Sequence, residues 1–174
     1  AIKQAERLAE DGGGYPLGQL IHNPLVTDEL EKRGVKAAEN PEDIPKGKKV
    51  IIRSHGVGQA VYGELERREI EYIDATCPFV ANIHRIVREE SEKGARVIIA
   101  GDPSHPEVKG IRGHCLTESR VVDSIRDIEL LISDKLFVQD ALILVAQTTY
   151  QLAKWIEYKK IIKKHCTNLQ IFDT

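Results

Sequence analysis

Short runs of consecutive aliphatic residues recur along the chain and alternate with patterns typical of helices. Such runs lie at residues 50–52, 97–99 and 142–145, and none of them contains a polar residue. Uninterrupted apolar runs of this length are typical of strands in a parallel sheet that is covered on both faces. Strands that alternate with helices form βαβ units. The sequence therefore predicts an α/β fold built on parallel sheets.

The alternation divides the chain into two predicted small α/β domains, residues 1–77 and 78–174. Helices are predicted at residues 1–10, 24–32, 59–68, 78–93, 107–113, 124–131 and 150–165. Strands are predicted at residues 15–21, 50–52, 71–74, 97–100, 120–122, 141–145 and 169–172. In open α/β sheets ligands bind beyond the carboxyl ends of the strands. The polar residues of this chain are concentrated at those ends.

Composition excludes several classes of partner. The net charge of -2 gives no reason to expect nucleic acid or an anionic membrane surface. No apolar run approaches the ~20 residues that span a bilayer. The three cysteines lack regular spacing, which argues against a secreted disulfide framework and for a reducing compartment.

The start of the sequence indicates an incomplete chain. It contains no methionine, and residue 1 opens directly into a helical pattern with no preceding cap. We therefore expect the chain to be part of a longer protein.

Cys77 stands between a predicted strand and a helix that begins near Pro78. A thiolate at a helix N-terminus is stabilised by the positive end of the helix dipole and by free backbone N–H groups. The alternative is a buried structural cysteine, because free cysteine is among the most buried residue types. The residues alone leave both interpretations open.

His22, His55 and His105 each lie just past a predicted strand. A single histidine in a loop is more often a solvated or capping residue, but three in equivalent positions suggest a common role. Together they can donate N–H groups to an anion such as a diphosphate, and they can instead bind a metal.

The remaining histidines carry weaker signals. His84 and His165 are predicted to lie on helix surfaces. His114 is adjacent to Cys115, but no second pair stands at zinc-finger spacing, so a zinc site is not favoured.

Glu107 and Thr148 are candidates for proton chemistry. Glu107 lies at a helix start, where a carboxylate is favoured for stability alone, but it can also donate a proton to a ligand. Thr148 and Thr149 follow an apolar strand, where they can cap a helix or direct a hydroxyl at a substrate.

Taken together, these motifs resemble one family, the 4-hydroxy-3-methylbut-2-enyl diphosphate reductases, also called IspH or LytB. The matching segments, in order, are Gly18-Gln19-Leu20-Ile21-His22-Asn23-Pro24, Ile51-Ile52-Arg53-Ser54-His55-Gly56-Val57, Asp74-Ala75-Thr76-Cys77-Pro78, His105-Pro106-Glu107-Val108 and Gln147-Thr148-Thr149. The resemblance covers essentially the whole chain.

The resemblance implies three α/β domains in a trefoil around a [4Fe-4S] cluster held by three cysteines. By resemblance Cys77 is the middle ligand, and the other two ligands and the third domain fall outside this chain. Cys115 and Cys166 do not match cluster positions and are expected to be structural. A cluster is therefore not expected on this chain alone.

The resemblance also implies the reaction. The family removes the hydroxyl group of an allylic diphosphate reductively, giving isopentenyl and dimethylallyl diphosphate in the last step of the non-mevalonate isoprenoid pathway. Glu107 would donate the proton, and Thr148 would hydrogen-bond the substrate hydroxyl and help relay the proton, so both would also bind the substrate. His22, His55 and His105 would hold the diphosphate. Ferredoxin or flavodoxin would supply electrons, and the cytoplasm is the expected location.

Two alternatives accompany this interpretation. A non-catalytic diphosphate-binding module would keep the fold without the cluster. Quinolinate synthase is another three-domain, three-cysteine cluster enzyme, but the His-Pro-Glu and Gln-Thr-Thr segments argue against it.

Overall fold

The structure is a computed structural model that describes residues 2–10, 13–18 and 23–173. The described chain falls into two compact units, with the boundary between Cys77 and Pro78. The first unit contains α1 (Ile2–Glu10), β1 (Tyr15–Leu17), α2 (Pro24–Lys32), a 3-10 helix (Pro41–Asp43), β2 (Val50–Ile52), α3 (Gln59–Arg67) and β3 (Tyr72–Asp74). The second contains α4 (Pro78–Glu92), β4 (Arg96–Ala100), α5 (Pro106–Arg112), β5 (Ser119–Val122), α6 (Ile125–Ser133), α7 (Lys135–Val138), β6 (Leu142–Ala146), α8 (Leu152–His165) and β7 (Leu169–Ile171).

The first unit is organised around β2, which lies between β1 and β3 in a parallel sheet. Successive side chains of a strand point to opposite faces of the sheet. Val50 and Ile52 pack in one apolar cluster with Leu65 of α3, and Ile51 packs in another with Leu8 of α1. All three residues of β2 are fully buried, which explains its uninterrupted apolar sequence.

The second unit has a parallel sheet of order β5-β4-β6-β7 in its described residues. On one face Ile98 packs with Phe137 of α7 and Ile162 of α8. On the other face Ile99 packs with Ile83 of α4. Fully burying each of these side chains contributes about 1.5–3 kcal/mol, so the two-sided core holds β4 and β6 side by side.

The predicted α/β class with parallel sheets is confirmed. β1 is shorter than the predicted strand at 15–21, because Gly18 adopts a φ of +73°, in the left-handed region that ends an extended strand. Residues 19–21 lie outside the described residues. α8 begins two residues later than predicted, because Tyr150 N–H donates to the Gln147 carbonyl in a turn.

The sequence does not predict the 3-10 helix or α7, because each is too short to show apolar periodicity. Both are held by capping instead. Asp43 accepts from the backbone N–H of Asn40, and Asp134 accepts from that of Phe137. Within the described residues, no helix has the length and apolar character that crossing a membrane requires.

We predict that Ile98→Ala lowers the free energy of unfolding of the second unit by about 2–5 kcal/mol, because the substitution leaves a cavity in a closed core. Trp155 is the sole tryptophan in the sequence and belongs to the same cluster, so its fluorescence in a urea titration reports this unit. Ile156 is 56% exposed, and Ile156→Ala should change stability by no more than about 0.5 kcal/mol. Equal losses of stability in Ile98→Ala and Ile156→Ala would contradict the packing of Ile98 in this core.

Candidate active site

Glu107 and Thr148 bond to each other across the ends of two neighbouring strands. Glu107 is the second residue of α5, which follows β4, and Thr148 lies in the loop after β6. Because β4 and β6 are adjacent and parallel, both loops leave the same edge of the sheet. The Thr148 backbone N–H donates to Oε1 of Glu107 at 2.6 Å, and the Thr148 hydroxyl donates to Oε2 at 2.9 Å.

Glu107 is only 1% exposed, so its carboxylate is almost completely shielded from water. A buried carboxylate is costly unless its oxygens are satisfied, and here both oxygens accept a hydrogen bond from one residue. A carboxyl group held in this way can accept or deliver a proton at a defined position. Its place beyond the carboxyl ends of parallel strands is where ligands of such sheets bind.

His105 is the N-cap residue of α5. Its Nδ1 accepts a hydrogen bond from the backbone N–H of Glu107 at 3.2 Å, and Pro106 occupies the first helical position. A neutral imidazole that accepts at Nδ1 carries its proton at Nε2, where it can donate to an anion. The capping role and the anion-binding role are therefore compatible, because they use different ring nitrogens.

The loop between β4 and α5 is held by its own side chains. The Asp102 carboxylate accepts from the backbone N–H and from the hydroxyl of Ser104, each at 2.7 Å. Those hydrogen bonds hold the pKa of Asp102 below its ordinary value. Thr148 and Thr149 do not cap a helix, since the N-cap position of α8 is Gln151. This leaves the Thr148 hydroxyl committed to Glu107.

In the first unit, Cys77 and His55 follow the neighbouring strands β3 and β2. Cys77 N–H donates to the Ser54 carbonyl at 2.9 Å, so the cysteine lies against the loop that carries His55. Both residues are half-buried. His22, the third predicted histidine, lies outside the described residues.

The segment before Cys77 is organised by Asp74. Its carboxylate accepts from the backbone N–H of Thr76 at 2.9 Å, from the Thr76 hydroxyl at 2.5 Å and from the Tyr62 hydroxyl at 2.8 Å. Burial, and then the bond to Asp74, raise the pKa of Tyr62 to about 12. The sequence alone indicates no role for Tyr62, because nothing local marks its contact with a residue 12 positions away.

Arg53 is a further polar residue that the sequence singled out only within a motif. Its guanidinium lies against Gly18, where a Cβ would come within 2.2 Å of Nη1. Burial lowers the pKa of Arg53 from its ordinary value, and Glu39 opposes that shift. Glycine is favoured at residue 18 by its positive φ, and a side chain there would also displace the Arg53 guanidinium.

The prediction that His84 lies on a helix surface is wrong. His84 is 6% exposed and its ring stacks on that of His114, with the centroids 4.1 Å apart. His165 is exposed, as predicted. The α4 surface at His84 is covered by the segment that follows α5, a tertiary contact that helical periodicity does not reveal.

Cys115 and Cys166 differ in environment from Cys77. Burial raises the pKa of Cys115 to about 11, and its thiol donates to the Ile111 carbonyl. Cys166 is buried in the main apolar cluster of the second unit, which also raises its pKa. Among residues 2–10, 13–18 and 23–173, no group of three or more His, Cys, Asp or Glu side chains could hold a metal ion.

The fold and these side chains define an α/β protein in which each unit carries polar candidate residues at the carboxyl ends of its parallel strands. Across residues 1–174 the chain matches the family described as LytB protein. It therefore belongs to the LytB family.

Two relatives illustrate the similarity. The chain is 41% identical to the 4-hydroxy-3-methylbut-2-enyl diphosphate reductase of Thermoanaerobacter sp. (strain X514), over all of this chain and 60% of that protein. It is 36% identical to the enzyme of the same name from Helicobacter pylori (strain P12), over 99% of this chain and 62% of that protein. The chain thus spans less than two thirds of the length of these curated relatives.

Solved structures are similar in fold. The E-1-hydroxy-2-methyl-but-2-enyl-4-diphosphate reductase from Plasmodium falciparum superimposes with a TM-score of 0.88 at 23% identity, over 99% of this chain and 54% of that chain. A second structure, (E)-4-hydroxy-3-methyl-but-2-enyl diphosphate reductase, described as the terminal enzyme of the non-mevalonate pathway, gives a TM-score of 0.80 at 30% identity. It covers 98% of this chain and 62% of that chain.

We predict that iodoacetamide labels Cys77 before Cys115 and Cys166. With its pKa raised to about 11, Cys115 has only about a thousandth of its thiol ionised near pH 8, and its labelling should accelerate as the pH rises toward 11. Timed alkylation followed by peptide mass spectrometry measures all three rates. Labelling of Cys115 or Cys166 ahead of Cys77 would show that the environments are assigned incorrectly.

Proposed function

We propose that this chain carries the proton-donating and part of the diphosphate-binding apparatus of a 4-hydroxy-3-methylbut-2-enyl diphosphate reductase. The reaction replaces the allylic hydroxyl group of the substrate by hydrogen and releases isopentenyl or dimethylallyl diphosphate and water. The observation that carries the proposal is the buried carboxylate of Glu107, bonded through both oxygens to Thr148. The names of the relatives supply the substrate class.

The numbers of electrons and protons that the reaction consumes determine what the protein must provide. Cleavage of the carbon–oxygen bond with formation of a carbon–hydrogen bond consumes two electrons and two protons. A [4Fe-4S] cluster, when bound, would supply the electrons and a Lewis-acidic iron. Cys77 is proposed as one of its three cysteine ligands, with the other two outside this chain, and ferredoxin or flavodoxin is proposed as the electron donor.

Glu107 and Thr148 are proposed to deliver the proton that converts the hydroxyl into water. When Glu107 is protonated, Oε2 donates to the Thr148 hydroxyl oxygen, and the hydroxyl hydrogen of Thr148 is donated to the leaving oxygen. The bond from Thr148 N–H to Oε1 holds the carboxyl group in place throughout. A hydroxyl can make this transfer because it both donates and accepts.

His22, His55 and His105 are proposed to bind the diphosphate. For His105 the support is its N-cap bond, which fixes the ring before a ligand arrives. For His55 the support is its place in the loop after β2, against which Cys77 lies. Fixed N–H donors orient an anion without an additional entropic cost on binding.

The domain arrangement and location also belong to the proposal. Residues 1–77 and 78–174 are proposed to be the first two domains of a three-domain trefoil. The cytoplasm is the proposed location, and no nucleic acid or membrane partner is proposed.

A non-catalytic diphosphate-binding module is the second candidate. The observation in its favour is the N-cap bond of His105, which holds an N–H donor for an anion whether or not a cluster is bound. It predicts binding of the diphosphate without turnover in any form of the protein.

We predict that Glu107→Gln in the full-length gene product lowers turnover by about 10²–10⁴-fold, because the amide cannot supply the proton. Anaerobic assay of product formation measures the rate, and calorimetry with the substrate should show that binding is retained. Glu129 is exposed on α6, so Glu129→Gln is the matched control and should keep full activity.

Turnover of Glu107→Gln within a few-fold of the unsubstituted protein would overturn the role of this carboxyl group. Binding with no turnover in the unsubstituted full-length product would instead favour the non-catalytic module.

A further inference from the structure

Gln147 lies next to Thr148 and bonds to both strand-end loops. It is 7% exposed. Its Oε1 accepts from the backbone N–H of Asp102 at 3.2 Å, and its Nε2 donates to the Thr149 hydroxyl at 2.9 Å. Its own backbone N–H donates to the Ala100 carbonyl at 2.9 Å. The oxygen of the Gln147 side-chain amide therefore accepts a hydrogen bond while its nitrogen donates one. A carboxylate or an apolar side chain of the same size could not do both.

Gly101 provides a second observation at the same place. A Cβ at residue 101 would come within 2.7 Å of Val108 Cγ2 and within 3.1 Å of Cβ and Oε1 of Gln147. Its φ does not lie in the left-handed region, so the reason for glycine here is steric. The side chain of Gln147 occupies space that a side chain at residue 101 would need.

Hydrogen bonds therefore cross between the loops in both directions. Glu107, in the segment after β4, accepts from Thr148 after β6, and Gln147 after β6 accepts from Asp102 after β4. The Gln147 backbone N–H also bonds to the Ala100 carbonyl, so the backbone on both sides of the 147–148 peptide is held against the end of β4 and the segment that follows it. The pair of crossings fixes the peptide that presents the Thr148 N–H.

We infer that Gln147 is a positioning residue that acts through Asp102 and Thr149 to hold Thr148 against Glu107. It also sets the direction of the Thr149 hydroxyl. Since that oxygen accepts from the Gln147 amide, its hydrogen points away from Gln147 and serves as a donor to an oxygen of the anionic ligand. Thr149 is exposed, which suits such a contact. The ligand part of this inference rests on the proposed function, whereas the positioning part does not.

The test uses the present chain and the exchange of its backbone amides, followed by ¹⁵N NMR. In Gln147→Leu, hydrogen exchange at the amides of Asp102 and Thr148 should accelerate by at least about tenfold, because both crossings loosen. The Thr148 amide resonance should move upfield as its bond to the carboxylate lengthens. Amides inside β4 and β6, such as those of Ile98 and Leu144, should keep their exchange rates.

Gly101→Ala perturbs the same contact from the other loop and should produce the same local pattern. Gln170 is exposed on β7, so Gln170→Leu is the matched control and should change neither amide. The fluorescence of Trp155 checks that each variant is folded.

Unchanged exchange at Asp102 and Thr148 in Gln147→Leu would overturn the inference. So would a parallel acceleration of all amides of the second unit, which would indicate a general loss of stability. The amide-exchange experiment does not measure turnover. Full activity of Glu107→Gln would therefore contradict the proposed function without affecting the inference about Gln147.

Discussion

The bond between Glu107 and Thr148 is the interaction on which the candidate site depends. It joins residues 41 positions apart and exists only because β4 and β6 are neighbours in a parallel sheet. The apolar cores on both faces of that sheet hold the two strands in register. Those cores therefore keep a buried carboxyl group satisfied, and that arrangement makes Glu107 suitable for moving a proton at a fixed position.

In both units, hydrogen bonds between the loops that follow adjacent strands hold polar candidate residues in place. In the second unit the loops after adjacent parallel strands are bonded to each other through Glu107 and Gln147. In the first unit the Cys77 N–H bonds to the Ser54 carbonyl in the loop after the neighbouring strand. In each case a hydrogen bond between two strand-end loops also holds a candidate functional residue. Substitutions at such positions are therefore expected to affect structure and function together, and control variants are needed to separate the two.

The sequence predicts the strands because each buried run is continuous and apolar, and it predicts candidate ligand-binding residues because those runs end in polar segments. Glu107, Thr148 and His105 are found in this way. The bond between Glu107 and Thr148 is not predicted, because the strand order that brings β4 beside β6 has no local signature. The burial of His84 is missed for the same reason, since it depends on a contact with His114. Gln147 appears in a recognised motif, but its role follows only from the two loops that its amide joins.

A double-mutant cycle on Glu107 and Thr148 tests the central claim most directly. Product formation would be measured anaerobically with the full-length gene product carrying Glu107→Gln, Thr148→Val or both. If the two residues act as one proton-transfer unit, the double variant should be no more than about tenfold slower than Glu107→Gln alone. Losses that multiply across the two substitutions would mean that the residues act independently, and would contradict the account.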